Sequence, residues 1–278
     1  SQTNTIGLII PEITSSFFSS VARRIEIASR KSGYSVTICD SQEDTILEID
    51  SIKLLTTRKV DGIIICPVGR ESKHINDLYR VNIPVITVDR YFPDLDLAFV
   101  VSDNHSGSVQ AVNHFIKNGH RKIAFIQGNP YSSVNKERLR GFRDAHEKHN
   151  IPVDESLIVG DSFGEQNGYS GAKILLSGSN RPTAIFAGSN LISLGAMRAI
   201  SEEGLNIPED ISMISFDDQP YSDFLCTPMT TVTQQHEEIG DIAIKLLLKE
   251  ITSEKVTDKK GIIIPTKLII RKSVKRLN

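Results

Sequence analysis

The sequence predicts an α/β protein of two doubly wound parallel-sheet lobes, and three observations predict it. Candidate strands alternate with candidate helices almost without exception, the pattern of a parallel sheet with helical crossovers. At 278 residues the chain exceeds the usual single-domain size. The third observation is the stretch Ile211-Ser212-Met213-Ile214-Ser215-Phe216-Asp217-Asp218. Its apolar run without charge or turn former reads as a parallel strand buried on both faces. Two carboxylates close it, and in open α/β sheets the carboxyl ends of the strands face the ligand crevice. Asp217 is therefore a site candidate; turn chemistry after the strand is the competing explanation for both acids.

Taken in order, the first strand is 6–10, and residues 17–32 place Phe18, Val21, Ala22, Ile25 and Ala28 at helical spacing before the cap Gly33. Phe17 falls off that stripe. Strand 35–40, helix 45–58, strand 61–67, a helix through Ile75 and Leu78, strand 83–90 and strand 98–104 complete a first set. The grammar then restarts with helix 106–117, strand 121–128, helix 136–149, strand 156–163, a helix around 168–176, strand 182–189, helix 193–203 and strand 211–216. Residues 227–234 are extended and β-branched, 239–251 are helical, and 261–273 read as a strand pair interrupted by Pro265. Late elements after two lobes return to pack on them, so several crossings should form a hinge with a ligand cleft beside it.

Composition removes several function classes. A net charge of -2 is unlike the basic stripe of a polyanion binder, so any nucleic-acid contact must come from elsewhere. Cys39, Cys66 and Cys226 lack metal or disulfide spacing, which suits free thiols in a reducing cytosol. No metal site is expected. The opening residues SQTNT lack the pattern of a secretory signal, and no apolar stretch approaches membrane-spanning length.

Polar groups gather at the expected carboxyl ends: Phe17 and Phe18 after the first strand, Asp89 and Arg90, Phe163, and Asp217, joined by Arg138 at a helix start and Gln234 at the late crossing. Two acids, two arginines, an amide and three aromatic rings suit a sugar. Vicinal hydroxyls pair with a carboxylate or a guanidinium fork, and aromatic faces cover C–H faces. Each residue alone has a plainer reading, as core packing or a solvated ion pair. No phosphate-binding glycine loop, G-x-S-x-G elbow or H-E-x-x-H occurs, so an enzyme is the weaker class. His120 reads as a turn histidine, and histidines 74, 105, 114, 146, 149 and 236 are scattered with no evident carboxylate partner.

With those residues in view, the chain resembles the effector-binding core of the lac repressor/gal repressor (LacI/GalR) family. The ordered phrases IGLIIPEITSSFFSSVARRIE, VDGIIICP, PVITVDR, VVSDN, NGHRKIAFIQG, RLRGF, RPTAIFAGSNLISLGAMRAI, IPEDISMISFDD and TPMTTVTQ carry the likeness across essentially all of it. The resemblance implies a type I periplasmic-binding-protein-like fold, with an N-terminal lobe 1–103, a C-terminal lobe 104–232, and returns at 233–262 and 263–278. It implies a cytoplasmic homodimer without cofactor. Operator DNA would be bound by a helix-turn-helix headpiece preceding Ser1, making this a truncated form.

By the same resemblance, effector contacts fall on Phe17, Phe18, Asp89, Arg138, Phe163, Ser189, Asp217 and Gln234, with Arg90 added if ribose-binding proteins are the closer guide. Ser15, Cys66 and Ser189 stand where such relatives commonly have Asn, shortening contacts and leaving space for a larger or differently substituted sugar. Asn190 stands where Asp is usual beside Ser189. The leading expectation is a sugar-responsive repressor core for carbohydrate genes. The alternative is the sugar-binding protein of an ABC transporter.

Overall fold

The computed structural model describes residues 2–80, 82–252 and 261–277. They form two compact units, Ser1–Ser102 with Gln235–Ile264, and Asp103–Gln234 with Pro265–Asn278. The chain thus crosses between units after Ser102, Gln234 and Ile264.

In the first unit, β1 (Thr5–Ile10), β2 (Ser35–Asp40), β3 (Gly62–Ile65), β4 (Val85–Val88), β5 (Ala98–Ser102) and β11 (Gly261–Ile264) form one parallel sheet in the order β2-β1-β3-β4-β5-β11. β3 and β4 are buried at every position, as strands covered on both faces must be. Alternation along the strands splits the core in two. Ile6, Leu8, Ile10, Ile64 and Ile86 pack with Val21 and Ile25 of α1 (Ser16–Lys31) and Ile239 and Leu247 of α8 (His236–Thr252). Ile9, Ile63 and Ile65 face the other way, onto Ile52 and Leu55 of α2 (Thr45–Thr57) and Ile75 and Leu78 of α3 (Lys73–Arg80).

The second unit repeats the plan. β6 (Ile123–Ile126), β7 (Ile158–Val159), β8 (Ala184–Ala187), β9 (Ser212–Phe216), β10 (Thr230–Thr233) and β12 (Lys267–Ile269) run in the order β7-β6-β8-β9-β10-β12. All pair in parallel except β12, which is antiparallel to β10. Phe125, Phe186 and Phe216 cover one sheet face with Phe115 of α4 (Asn104–Lys117) and Phe142 of α5 (Ser133–Lys148). On the other face lie α6 (Glu165–Ser177) and α7 (Asn190–Glu202), whose backbones nearly touch. A Cβ on Gly195 would lie 1.9 Å from the Glu165 carbonyl oxygen, and one on Gly168 2.0 Å from that of Ile192, so only glycine fits at this crossing.

Several expectations need correction. The predicted strand 156–163 is a 3₁₀ turn, Glu155–Leu157, followed by two strand residues, because Gly160 turns to φ +98° and ends the extension. The predicted pair within 261–273 does not pair with itself: β11 joins β5 in one sheet and β12 joins β10 in the other. Helix α4 starts at Asn104 rather than 106 because Asp103 caps it, accepting from the Ser106 N–H at 2.9 Å. Helix α5 starts at Ser133, which puts Arg138 in its second turn rather than at its start. Phe17, expected off the buried stripe, is 3% exposed and makes an edge contact with Phe18 at 5.0 Å between ring centres.

His120 is more than a turn residue. Buried between Thr183 Oγ1 and the Lys275 carbonyl, each 2.9 Å from a ring nitrogen, it pins the C-terminal segment to the second unit. Burial lowers its pKa, consistent with a neutral ring that donates to the carbonyl and accepts from the hydroxyl. Among the described residues, no helix is long and apolar enough to cross a membrane.

Candidate functional site

β4 and β9 hold the same fourth place in the two sheet orders, and each ends in an aspartate. Asp89 follows β4 at φ +63°, and Asp217 follows β9 at φ +70°. Left-handed backbone is uncommon outside glycine and is tolerated best by Asn and Asp. Both backbone N–H groups continue the sheet ladder at 2.9 Å, Asp89 to the Val100 carbonyl and Asp217 to that of Val232. The ladder holds the residue in place while the left-handed turn re-aims its carboxylate. Each is 5% exposed.

Around Asp89 the first unit gathers a polar cluster at the carboxyl edge of its sheet. The Cys66 thiol, following β3, donates to Asp89 Oδ2 at 3.7 Å, and burial holds its pKa well above the ordinary value, so it stays a donor. Arg90 Nε lies 3.7 Å from the same oxygen. The Arg90 fork is taken by Glu43, from the β2–α2 connection, with Nη1 donating at 2.8 Å and Nη2 at 2.5 Å. Beside it, Glu48 accepts from the Val68 N–H at 2.8 Å and lies 2.6 Å from His74 Nε2. Burial pushes Glu48 upward against the pull of His74. Phe17 and Phe18 open α1 after β1 on this edge, with the Arg90 guanidinium carbon 6.0 Å from the Phe18 ring centre. Ser15 is the buried residue before that helix, in the N-cap position, and its side chain makes no capping bond.

In the second unit Gln234 donates to Asp217 Oδ1 at 2.5 Å, while its own Oε1 is buried and accepts from no described residue. A buried carbonyl left without a donor loses free energy, so this oxygen is suited to a ligand hydroxyl. Arg138, 2% exposed, donates to Asn104 Oδ1 at 2.8 Å and to the Gly188 carbonyl at 2.6 Å. Its guanidinium carbon stands 3.5 Å over the centre of the Phe216 ring, a stacked cation–π contact. The half-buried Phe163 ring lies on Gly128, where a Cβ would meet its Cε1 at 2.1 Å. Ser189 caps α7, accepting from the Ile192 N–H at 3.2 Å and donating to the Phe163 carbonyl at 3.2 Å. Asn190 Oδ1 accepts from the Leu191 N–H at 2.8 Å.

The structure therefore brings Phe17, Phe18, Cys66, Asp89 and Arg90 to one edge of the first unit, and Arg138, Phe163, Ser189, Asp217 and Gln234 to elements of the second. Sequence reasoning missed Asn104, although its place just after a strand gave the same signal as Asp89. It also missed Glu43, whose partner stands 47 residues away. Histidines 74 and 105 do have carboxylate partners: His74 pairs with Glu48 and His105 with Asp144, each at 2.6 Å.

A family model described as a periplasmic binding protein-like domain matches residues 112–274. The chain is 32% identical over 281 residues to the HTH-type transcriptional regulator DegA of Bacillus subtilis (strain 168), an alignment covering 100% of this chain and 82% of that protein. A LacI family transcriptional regulator from Enterococcus faecium, solved with bound ribose, superposes with a TM-score of 0.89 at 29% identity, covering 99% of this chain and 100% of that one. The chain belongs to the LacI family of transcriptional regulators. A second solved structure, a transcriptional regulator CelR–cellobiose complex, matches with a TM-score of 0.89 at 28% identity over 98% of this chain and 85% of that one. The architecture is accordingly the type I periplasmic-binding-protein-like fold. The relatives of this LacI-family chain are named as regulators, not enzymes.

Proposed function

We propose that this chain is the effector-binding and dimerisation core of a LacI-type DNA-binding repressor of carbohydrate-metabolism genes, with a small sugar as effector. The observation that carries the reading is the matched pair Asp89 and Asp217, one at the end of the equivalent strand in each unit, both held left-handed by a ladder hydrogen bond. A carboxylate so fixed accepts from vicinal hydroxyls. The orphan Gln234 carbonyl beside Asp217 asks for another hydroxyl donor, and Arg138 supplies donors. Phe17, Phe18 and Phe163 add aromatic cover, Arg90 and Ser189 complete the contacts, and Ser15, Cys66 and Asn190 are secondary candidates. Charge-assisted hydrogen bonds of roughly 1.5–3 kcal/mol each make such a site selective for a hydroxyl-rich molecule. Ribose and cellobiose in the two solved relatives are sugars of this chemistry.

Binding regulates only if the sugar favours one of two states of the core over the other. Operator contact is assigned to a helix-turn-helix headpiece outside these 278 residues, since the net charge of -2 offers the phosphate backbone little attraction. A homodimer in the cytoplasm completes the reading. The ABC-transporter alternative shares the sugar chemistry, but relatives named as regulators do not favour it. A thermal-shift screen against a panel of neutral mono- and disaccharides tests the proposal, because a ligand of the native state raises Tm. At least one sugar should raise Tm in a dose-dependent way, and the chain should elute as a dimer; no response across the panel would remove the sugar reading.

A further inference from the structure

Arg90 would ordinarily present two parallel N–H groups to an anionic ligand, since a guanidinium fork matches a carboxylate or phosphate bidentately. Here Glu43 occupies that fork, on Nη1 at 2.8 Å and Nη2 at 2.5 Å, and the guanidinium is buried with 6% of its side chain exposed. The Glu43 backbone is fixed as well: it is left-handed at φ +56°, and its N–H donates to the Pro11 carbonyl at 2.9 Å. Asp89 adds a second negative charge 3.7 Å from Arg90 Nε. The Arg90 guanidinium thus faces two carboxylates, Glu43 on its fork and Asp89 beside its Nε.

We propose that Glu43 is a specificity-determining residue that withholds the Arg90 fork from the effector, so that this edge accepts uncharged polyhydroxyl ligands and rejects phosphorylated or otherwise anionic ones. The proposal rests on the reading of the edge as the effector site and adds the charge class of the effector. A phosphate group brought here would have to displace Glu43 from Arg90 while facing Asp89, with no second donor pair offered in exchange by Cys66 or the two Phe rings. A neutral sugar needs neither step. It leaves the Glu43–Arg90 pair intact and donates its hydroxyls to Asp89.

The experiment measures Tm of the wild type, E43Q and the E43Q/R90Q double variant in chloride, inorganic phosphate, D-ribose and D-ribose 5-phosphate at matched ionic strength. Freed from its carboxylate partner, Arg90 in E43Q should bind inorganic phosphate at least tenfold more tightly than in the wild type, read as a phosphate-dependent rise in Tm. The double variant should lose that gain. E43S, which removes the carboxylate without leaving an amide beside the guanidinium, is the second variant, and whichever of the two folds decides. A wild type stabilised by phosphate or ribose 5-phosphate, a folded E43Q or E43S without phosphate response, or a gain that survives R90Q overturns the proposal. Because inorganic phosphate probes the fork without any sugar, a failure here is distinct from a panel in which no neutral sugar binds.

Discussion

The two carboxyl edges use the same device with opposite signs. In each unit an aspartate leaves its strand left-handed, and the residue after it is locked by an ion pair from a distant segment. In the first unit the locked residue is Arg90 and the lock is Glu43. In the second it is Asp218, and the lock is Arg271, whose Nη1 and Nη2 donate to its two oxygens at 2.9 and 3.0 Å. Arg271 also donates to Asp223, to the Met229 carbonyl at 2.8 Å and to Thr231 Oγ1 at 3.1 Å. The β9–β10 connection is thereby held at both ends. In each edge the residue after the leading acid ties its loop to a distant segment, Arg90 to Glu43 and Asp218 to Arg271. Asp218 is therefore an anchor, where the sequence alone offered only a turn-forming acid beside the candidate Asp217.

The strongest way to break that symmetry is to neutralise each leading acid. Asn keeps the left-handed preference of Asp, so D89N and D217N should fold with Tm near the wild type. Each loses a charged acceptor worth roughly 1.5–3 kcal/mol, so affinity for a responding sugar should fall roughly 10- to 100-fold. Isothermal titration of both variants measures this. If D217N loses binding and D89N does not, only the second unit's edge contacts the effector and the matched-pair reading fails.

Removing an anchor should act on stability first. R271A strips Asp218, 20% exposed at its side chain, of its bidentate partner and leaves Asp223, Met229 and Thr231 without their donor. A cost of about 2 kcal/mol follows for a partly buried pair broken on one side. The pH dependence carries the signature. Burial works to raise the Asp218 carboxyl, but hydrogen bonds from Arg271, Ser222 and Thr231 outweigh it and hold its pKa below the ordinary Asp value. A carboxyl depressed in the folded state contributes stability that is complete above its unfolded pKa and disappears as pH falls through the folded one. Wild-type chemical denaturation should therefore weaken from about pH 5 downward more steeply than that of R271A. Parallel curves for the two proteins would mean that Arg271 does not anchor through Asp218.

The split between what the sequence disclosed and what it concealed follows the same line between backbone and side-chain partners. Strand alternation and apolar period reflect burial on two sheet faces, so β3, β4, β8 and β9 were legible, as were Asp89 and Asp217 at their ends. Partner choice was not. Glu43 with Arg90, Glu48 with His74 and Arg271 with Asp218 join segments 47, 26 and 53 residues apart, and no local pattern states which loop faces which. Burial of Phe17 was hidden for a related reason: a helical stripe describes one contact face, and the first turn of α1 also packs against His236 of α8, at 5.5 Å between ring centres.

Phe163 offers the smallest and most local test of the second edge. Its half-buried ring rests on Gly128, the residue after Gln127 at the end of β6, so the position of the ring depends on a missing side chain. F163A removes one aromatic face, worth roughly 0.5–1.5 kcal/mol, and should weaken sugar binding about three- to tenfold. G128A should do nearly the same without touching the ring itself, since its Cβ would lie 2.1 Å from Phe163 Cε1 and force the ring away. If both act through the ring, the double variant F163A/G128A should bind no worse than F163A alone, because an alanine at 128 has nothing left to displace. Additive losses would place the effect of Gly128 in its own backbone, where its N–H donates to Asn135 Oδ1 at 2.8 Å, whereas an F163A variant that binds as tightly as the wild type would take the Phe163 ring out of the site.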